Sequence, residues 1–441
     1  MPDVAVIGGG ISGIAATHYC NRKGLNVDMY EARDAIGGRI GSERLGDRYV
    51  DFGGKNIGRK YRRFRAFVKH CGDSGFEDFG FNTSQIVDGR LIRIAKDRPL
   101  LFTLMNVAYL SGVRGFMRLF PLFRAVSANY GDGVLNSEFF NRISERHDEA
   151  SLQAFFGERC SKYVIRPLTV RMNGAEPEEC HVGNFGSNLA LALDSYEQLQ
   201  DGMSGLLNAF LSAGKQNRII SGSRVERVSL SEDGTSVAID VSNGGRCRRQ
   251  VYDRVLVTLP AVQAAPLFRT SMPELASLLG GISYYPVAVA VVRYGEKVFR
   301  HDHRAMVFDR TSPLSNAGAY GRNDLDLVRY TLSGAGARKA ISPETAPEEA
   351  VAIAERITAP YFNLDGNRRE AYVYKYLDPG LCAYSPYHHR KLEKISSLLE
   401  RYPVIGMTGD YWRGASIEAC FRAAEEAVDK LVTFPLINET H

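Results

Sequence analysis

The sequence has no Cys-x-x-Cys pair. Its seven cysteines, Cys20, Cys71, Cys160, Cys180, Cys247, Cys382 and Cys420, are odd in number and scattered, which fits a reducing compartment better than a disulfide framework. There is no Gly-x-Ser-x-Gly. Neither His301-x-His303 nor His388-His389 has a carboxylate or thiol at ligand spacing, so no hydrolytic or metal site is expected and these histidines are read as surface residues. The uncharged run Pro99–Val113 is 15 residues long, short of the ~20 needed to cross a bilayer. A strong excess of one charge is also missing. The 55 Lys and Arg against 50 Asp and Glu leave +5, which does not argue for nucleic acid.

What is present is ordinary in bulk and specific in detail. A chain of 441 residues exceeds what one hydrophobic core usually supports, so two domains are expected. Hydrophobic residues at 44% and charged residues at 24% fit a globular protein. The chain opens on an apolar strand with no room for a signal peptide, so a cytoplasmic protein is the expectation.

That strand is Val4-Ala5-Val6-Ile7, and it runs straight into Gly8-Gly9-Gly10-Ile11-Ser12-Gly13. In this Gly-x-Gly-x-x-Gly, Gly8 permits the tight turn, Gly10 lets a pyrophosphate approach the backbone, and Gly13 lets helix pack on strand. Ile11–Arg22 reads as the helix whose N-terminal N–H groups face that pyrophosphate. A second strand, Leu25–Tyr30, ends on Glu31, 23 residues after Gly8. An acid there accepts from the ribose hydroxyls of a dinucleotide and repels a 2′-phosphate. The next residues, Glu31-Ala32-Arg33-Asp34-Ala35-Ile36-Gly37-Gly38-Arg39, add backbone N–H groups and a guanidinium near the same phosphates.

This run resembles the FAD-binding signature of the flavoprotein amine oxidase, protoporphyrinogen oxidase and phytoene desaturase-like superfamily, "E-A-x-x-x-x-G-G-R". The resemblance implies FAD rather than NAD. It also implies an α/β fold in which a discontinuous Rossmann-type FAD-binding domain carries an inserted α+β substrate domain. On that pattern residues 1–58, 196–265 and 376–441 form the FAD-binding domain, and 59–195 and 266–375 the helical and sheet parts of the substrate domain. Gly53-Gly54-Lys55-Asn56 stands where the family brings backbone to the flavin ring. Val225 lies in the strand that resembles the one covering the adenine, and Val255–Ala261 resembles the strand returning to the Rossmann sheet. Asp201-Gly202-Met203 matches a family "G-G-M" with Asp in the first place. Near the end, Gly409, Asp410, Ser416 and Ile417 resemble the closing FAD motif. There Asp410 accepts from the ribityl chain or holds the pyrophosphate region through water. The backbone N–H near Ile417 meets the pyrimidine carbonyl, where a helix N-terminus raises the oxidising power of the flavin. Cys420-Phe421-Arg422 replaces the small residue and glycine of many relatives.

Between these landmarks the signals are weaker. Arg59–Arg65 is basic, and Phe64, Phe67 and Val68 make it the solvated face of a helix. Arg98–Gly131 contains no acid, and Arg114, Arg118 and Arg124 punctuate its apolar residues. Pro99–Val126 is expected to wall a greasy substrate cavity, with interfacial contact at a membrane as the less favoured alternative. Ser151–Tyr163 reads as one helix. Ser333–Arg338 is read as a turn, since it lacks a third glycine and a closing acid.

The resemblance implies an FAD-dependent oxidase or dehydrogenase that takes hydride from an organic small molecule and passes electrons to oxygen or another acceptor. Many amine oxidases of the superfamily place a lysine in the strand corresponding to Ile282–Tyr294, and here that strand has none. A largely apolar or flat substrate, as in protoporphyrinogen oxidases and desaturases, is therefore preferred to an amine. A flavin-bound isomerase or other non-redox flavoprotein is the alternative of another class. Lys55, Tyr376 and Trp412 are the candidate catalytic residues, with Tyr384 as a further aromatic near them.

Overall fold

Val4–Ile7 is the central strand of a five-stranded parallel sheet ordered Arg218–Ile220, Val27–Tyr30, Val4–Ile7, Arg254–Val257, Ile405–Met407. The computed structural model describes residues 3–433 apart from 73–74, 79–81, 96–99, 215–216, 232–233, 301–302 and 365–367. Arg98, Pro99 and His301 lie outside the described residues.

The three central strands, Val4–Ile7, Val27–Tyr30 and Arg254–Val257, are buried on both sides, as expected of a parallel sheet. Val4, Val6, Val27, Met29 and Leu256 face a helical layer that includes Ile14, Phe64 and Phe421. Their neighbours Ala5, Ile7, Tyr30, Val255 and Val257 face the other way. That second face packs against an antiparallel three-stranded sheet, Arg224–Leu230, Val237–Asn243 and Arg246–Tyr252, through Val225, Val228 and Ile239. The first helix, Ile11–Arg22, lies against the last described helix, Ile417–Thr433, beside the same sheet.

A second five-stranded sheet is antiparallel, ordered Ala305–Val307, Asn316–Ala319, Leu327–Leu332, Tyr284–Tyr294, Arg369–Cys382. Side chains of Tyr284–Tyr294 alternate between its faces. Ala288, Ala290 and Val292 enter a core with Ala350 and Val351 of the helix Pro347–Thr358. Val287, Val289 and Val291 pack with Leu45, Val50 and Tyr320, and Phe52, Leu377 and Leu381 lie partly buried against them. The strand Arg369–Cys382 runs past residue 376, where a change of domain is expected from the sequence.

Several local expectations change. Ser151–Tyr163 is not one helix: Leu152–Phe156 stops at Gly157 (φ +87°), and Ser161–Ile165 is a π-turn leading into Arg166–Met172. Within Ser333–Arg338 a short helix, Ala335–Ala340, begins directly after Gly334, with Glu176 accepting from the Ala335 N–H at 2.9 Å. His388 and His389 are buried rather than on the surface. The His388 Nε2 lies 2.8 Å from the Tyr411 carbonyl, and the His389 Nε2 lies 2.6 Å from Glu145 Oε1. Both are spent on joining the helix His388–Glu400 to its neighbours.

Leu100–Ala128 is a long helix interrupted at Gly112 (φ +64°). Leu110, Leu119, Leu122 and Val126 are buried, whereas Phe102, Met105, Tyr109, Val113, Met117 and Phe120 are exposed. This exposed row departs from the expectation that the whole segment walls an internal cavity.

Candidate cofactor and active site

The first glycine motif has the geometry its spacing demands. Gly8 sits at φ +107°, and a Cβ on Gly13 would lie 1.9 Å from the Gly8 carbonyl oxygen, so helix and strand touch without side chains between them. Gly10 precedes the helix, and no side chain caps that end. A Cβ at Gly10 would meet only Gly38 Cα, at 4.0 Å. The result is an open cradle of backbone N–H groups at the positive end of a helix, suited to a pyrophosphate.

Glu31 is buried and fixes this cradle. Its Oε2 accepts from the Gly9 N–H at 2.7 Å and its Oε1 from the Arg33 N–H at 2.9 Å. A carboxylate has about four lone-pair sites, so acceptor capacity remains for ribose. Ala32 and Arg33 are exposed beside it, and the Arg33 side chain folds back toward the Gly38 carbonyl at 3.3 Å. Gly37 donates to the Gly9 carbonyl at 2.8 Å, bringing the second glycine pair onto the first. The Ser223 N–H bonds the Glu31 carbonyl at 2.9 Å, which carries the strand of Val225 past the same acid.

The third and last motifs close on the other side. A Cβ on Gly53 would fall 1.9 Å from the Arg39 carbonyl oxygen, and one on Gly54 3.7 Å from both Ile40 and Ile417. Gly54 and Asn56 are exposed. Ser416 Oγ accepts from the Ala419 N–H at 3.1 Å and so caps the helix Ile417–Thr433, whose start faces the Gly54 turn.

Arg39 joins these parts. Its Nη1 lies 2.7 Å from Asp410 Oδ2 and 2.8 Å from the Gly380 carbonyl, while Tyr284 donates to Asp410 Oδ1 at 2.7 Å. Burial works against the Arg39 charge, but Asp410 and Tyr284 outweigh it and the pKa rises. Burial and then the Asp410 charge hold the Tyr284 hydroxyl well above its ordinary range, so it remains a donor. Tyr384, at φ +60°, sends its hydroxyl to the Asp410 carbonyl at 3.2 Å. Tyr284 stands outside every motif. Only its place at the start of an apolar strand marks it in the sequence.

Lys55 turns inward. It is 3% exposed, and its Nζ donates to Gln198 Oε1 and the Tyr320 carbonyl, both at 2.6 Å. Burial, reinforced by Arg329, brings its pKa well below the usual lysine value against the pull of Asp51 and Asp324. Arg329 also donates to the carbonyls of Asp51 and Gly53 at 2.7 and 2.9 Å, bracing the glycine turn from beneath. Asp51, Tyr320 and Arg329 are further residues of this site that sequence motifs do not mark. At the Asp201 departure, the next residues still fit: Gly202 has φ +68° and the Met203 N–H bonds Asp51 at 2.8 Å.

The remaining aromatic candidates lie apart from that polar cluster. Tyr376 is half-buried in the antiparallel sheet opposite Ala288. Trp412 lines a cavity of about 250 Å³ with Leu399, Met407, Glu426 and Lys430.

A family model for flavin-containing amine oxidoreductases matches residues 11–432. The chain belongs to that family. FAD is therefore its cofactor, and the glycine cradle, the Glu31 carboxylate and the Arg39–Asp410 bridge fit it. Among relatives, amine oxidase [flavin-containing] B of Sus scrofa is 25% identical over 325 residues, 68% of this chain and 58% of that protein. The chain thus matches less than two thirds of the length of that relative. A crystal structure of a putative protoporphyrinogen oxidase from Exiguobacterium sp. 255-15 superposes with a TM-score of 0.73 at 16% identity, over 98% of this chain and 99% of that one. Wild-type putrescine oxidase bound to putrescine gives 0.73 at 16% identity, over the same shares. These structures share the α/β fold of this chain.

Proposed function

We propose that this enzyme dehydrogenates a largely apolar or flat small molecule at carbon, in the manner of protoporphyrinogen oxidases and desaturases. Bound FAD supplies the hydride acceptor. The observation carrying this reading is the apolar face beside the Gly53-Gly54 turn. Phe52, Val287, Val289, Leu377 and Leu381 pack together there, and the Tyr284–Tyr294 strand has Ala288 or Val289 about where many amine oxidases of the superfamily place a lysine, Val289 on this face and Ala288 on the other. Such a surface contributes burial and water exclusion, and offers an ammonium substrate no partner. Arg39, Asp410 and Glu31 would hold and orient the cofactor, the helix start at Ile417 would offer it a positive dipole end, and Tyr284 keeps its own proton while donating a hydrogen bond to Asp410. We further infer that residues 59–195 and 266–375 form the substrate-binding parts.

Amine oxidation is the second reading, favoured by the match to amine oxidase B. Anaerobic mixing decides between them. Bleaching of the flavin by reduced tetrapyrroles or polyenes, and not by mono- or polyamines, is the expected result. Bleaching by amines reverses the order. Turnover of a ligand without lasting bleaching and without an acceptor would mark an isomerase. A second measurement follows reoxidation by oxygen, expected to be slow and equal in wild type and Lys55→Met, since Lys55 is engaged with Gln198 and Tyr320.

A further inference from the structure

The helix Arg166–Met172 carries two arginines with different surroundings. Arg166 is buried and paired, its Nε 2.8 Å from Glu176 Oε2. Arg171 is half-buried, and its Nε donates to the Pro167 carbonyl of its own helix at 2.6 Å. Among the described residues no carboxylate bonds its two Nη groups. Protein nevertheless encloses it, because burial lowers its pKa, and the neighbour that acts against this is the Tyr196 phenol. That phenol brings no negative charge: burial holds its proton, which it donates to the Leu191 carbonyl. The acids nearby in sequence are engaged elsewhere. Asp194 accepts from the N–H groups of Lys60 and Ser195, at 3.3 and 2.7 Å, and Glu197 pairs with Arg59 and Arg65.

The position of this guanidinium connects it to the site. Arg171 shares one side of its helix with Leu168 and Met172, both half-buried, at spacings of three and four from Leu168. The turn after the helix abuts the apolar face beside Gly53-Gly54. A Cβ on Gly174 would lie 3.0 Å from Tyr285 Cβ and 3.5 Å from Leu381 Cβ, and Asn173 Nδ2 donates to the Cys382 carbonyl at 3.0 Å. On the other flank Tyr196 pairs with Gly58, in the strand that follows Gly53–Asn56. Arg171 is thus held between that apolar face and the Gly58–Tyr196 pair.

An enclosed charge without a counter-ion is costly, and a guanidinium fork matches a planar carboxylate through two parallel N–H···O bonds. With Nε already engaged, the Nη1 and Nη2 edge remains for such a contact. A phosphate dianion fits less well, since one guanidinium leaves it with uncompensated charge among apolar side chains. A protonated amine is repelled. We propose that Arg171 anchors a carboxylate at one end of the substrate, whose apolar body lies along Leu168, Met172 and Leu381 toward the Gly53-Gly54 turn. This assignment rests on the reading of an apolar substrate given above, and it makes Arg171 a binding residue that sets specificity.

The test is calorimetric titration of the full-length, oxidised, FAD-loaded protein with four probes that share one flat ring system: 2-naphthoate, 2-naphthamide, 2-naphthyl phosphate and 2-naphthylmethylammonium. Wild type is expected to hold 2-naphthoate about tenfold or more tighter than 2-naphthamide, with the phosphate no tighter than the carboxylate and the ammonium weakest. Arg171→Gln should erase the preference for carboxylate over amide, while its affinity for 2-naphthamide, its FAD content and its melting temperature stay close to wild type. Arg171→Lys should keep part of the preference, because the charge remains and the fork is lost. If the glutamine variant does not fold, Arg171→Met takes its place under the same criteria. A wild type that binds 2-naphthoate no better than 2-naphthamide overturns the proposal. Tighter binding of the phosphate, or a carboxylate preference that survives in Arg171→Gln, overturns it as well. None of these readouts requires turnover, so they separate the two readings. Bleaching by amines would reverse the proposed reaction and leave the anchor standing, whereas bleaching by reduced tetrapyrroles or polyenes without a carboxylate preference would remove the anchor alone.

Discussion

Arg39 and Asp410 stand 371 residues apart in sequence and meet at 2.7 Å, joining the first FAD motif to the last. Arg39 reaches Asp410 from the Gly37-Gly38 turn, and Asp410 is aimed by Tyr284 from the other sheet. The bridge therefore ties three separated parts of the chain together beside the proposed cofactor site.

Asp410→Ala should lower both FAD content and stability. It leaves the Arg39 guanidinium and the Tyr284 hydroxyl without their acceptor. Since the Arg39 side chain remains 31% exposed, the cost to the protein should be about 2 kcal/mol rather than the larger loss of a fully buried pair. Urea unfolding with and without added FAD measures it, and a variant as stable and as yellow as wild type would contradict the bridge.

Gly10→Ala and Gly13→Ala should separate cofactor binding from folding. At Gly13 a methyl group would overlap the Gly8 carbonyl at 1.9 Å, so the apoprotein itself should lose about 3 kcal/mol or fail to fold. At Gly10 the methyl has room in the protein, with Gly38 Cα 4.0 Å away, but occupies the pyrophosphate cradle. That variant should keep the apoprotein melting temperature and bind FAD about a hundredfold more weakly. Equal loss of apoprotein stability in both would be the opposing result.

Glu31→Ala should weaken FAD binding about tenfold or more, through the lost ribose acceptor and the freed Gly9 N–H. Glu31→Lys should be worse, because it adds a charge that cannot accept. Glu31→Gln should fall between wild type and alanine, since its amide oxygen can still receive the Gly9 bond. Titration of apoprotein with FAD ranks the three.

Lys55 should give stability a slope with pH. Its folded pKa is lowered by burial and by Arg329, while the unfolded value is about 10.4. Between those two values the unfolded chain binds the proton and the folded protein does not, so this group favours folding more as pH rises. Its unfavourable effect is largest below the folded value and gone above about pH 10.4. The difference in urea midpoint between wild type and Lys55→Met should therefore move toward wild type from neutral pH to pH 10. A constant difference would mean that the folded lysine keeps an ordinary pKa.

The sequence by itself determined the glycine cradle proposed to hold FAD, because its geometry is carried by backbone. Gly8, Gly13, Gly37 and Gly38 are required by turns and close approaches that no side chain can satisfy, Gly10 leaves the cradle open, and their spacing is local. Glu31 follows for the same reason, at the end of the adjacent strand. Tertiary structure alone decided the surroundings. Tyr284 reaches Asp410, and Arg329 and Tyr320 brace the Gly53-Gly54 turn, only because two sheets pack across distant segments. Lys55 shows the difference most clearly: its place after two glycines is plain in sequence, but its inward direction depends on acceptors 143 and 265 residues away. The same holds for Leu100–Ala128. Its apolar and basic composition is legible, yet which half of the apolar residues faces water depends on what packs against the other half. Local spacing fixes backbone geometry, whereas side-chain burial is a property of the whole folded chain.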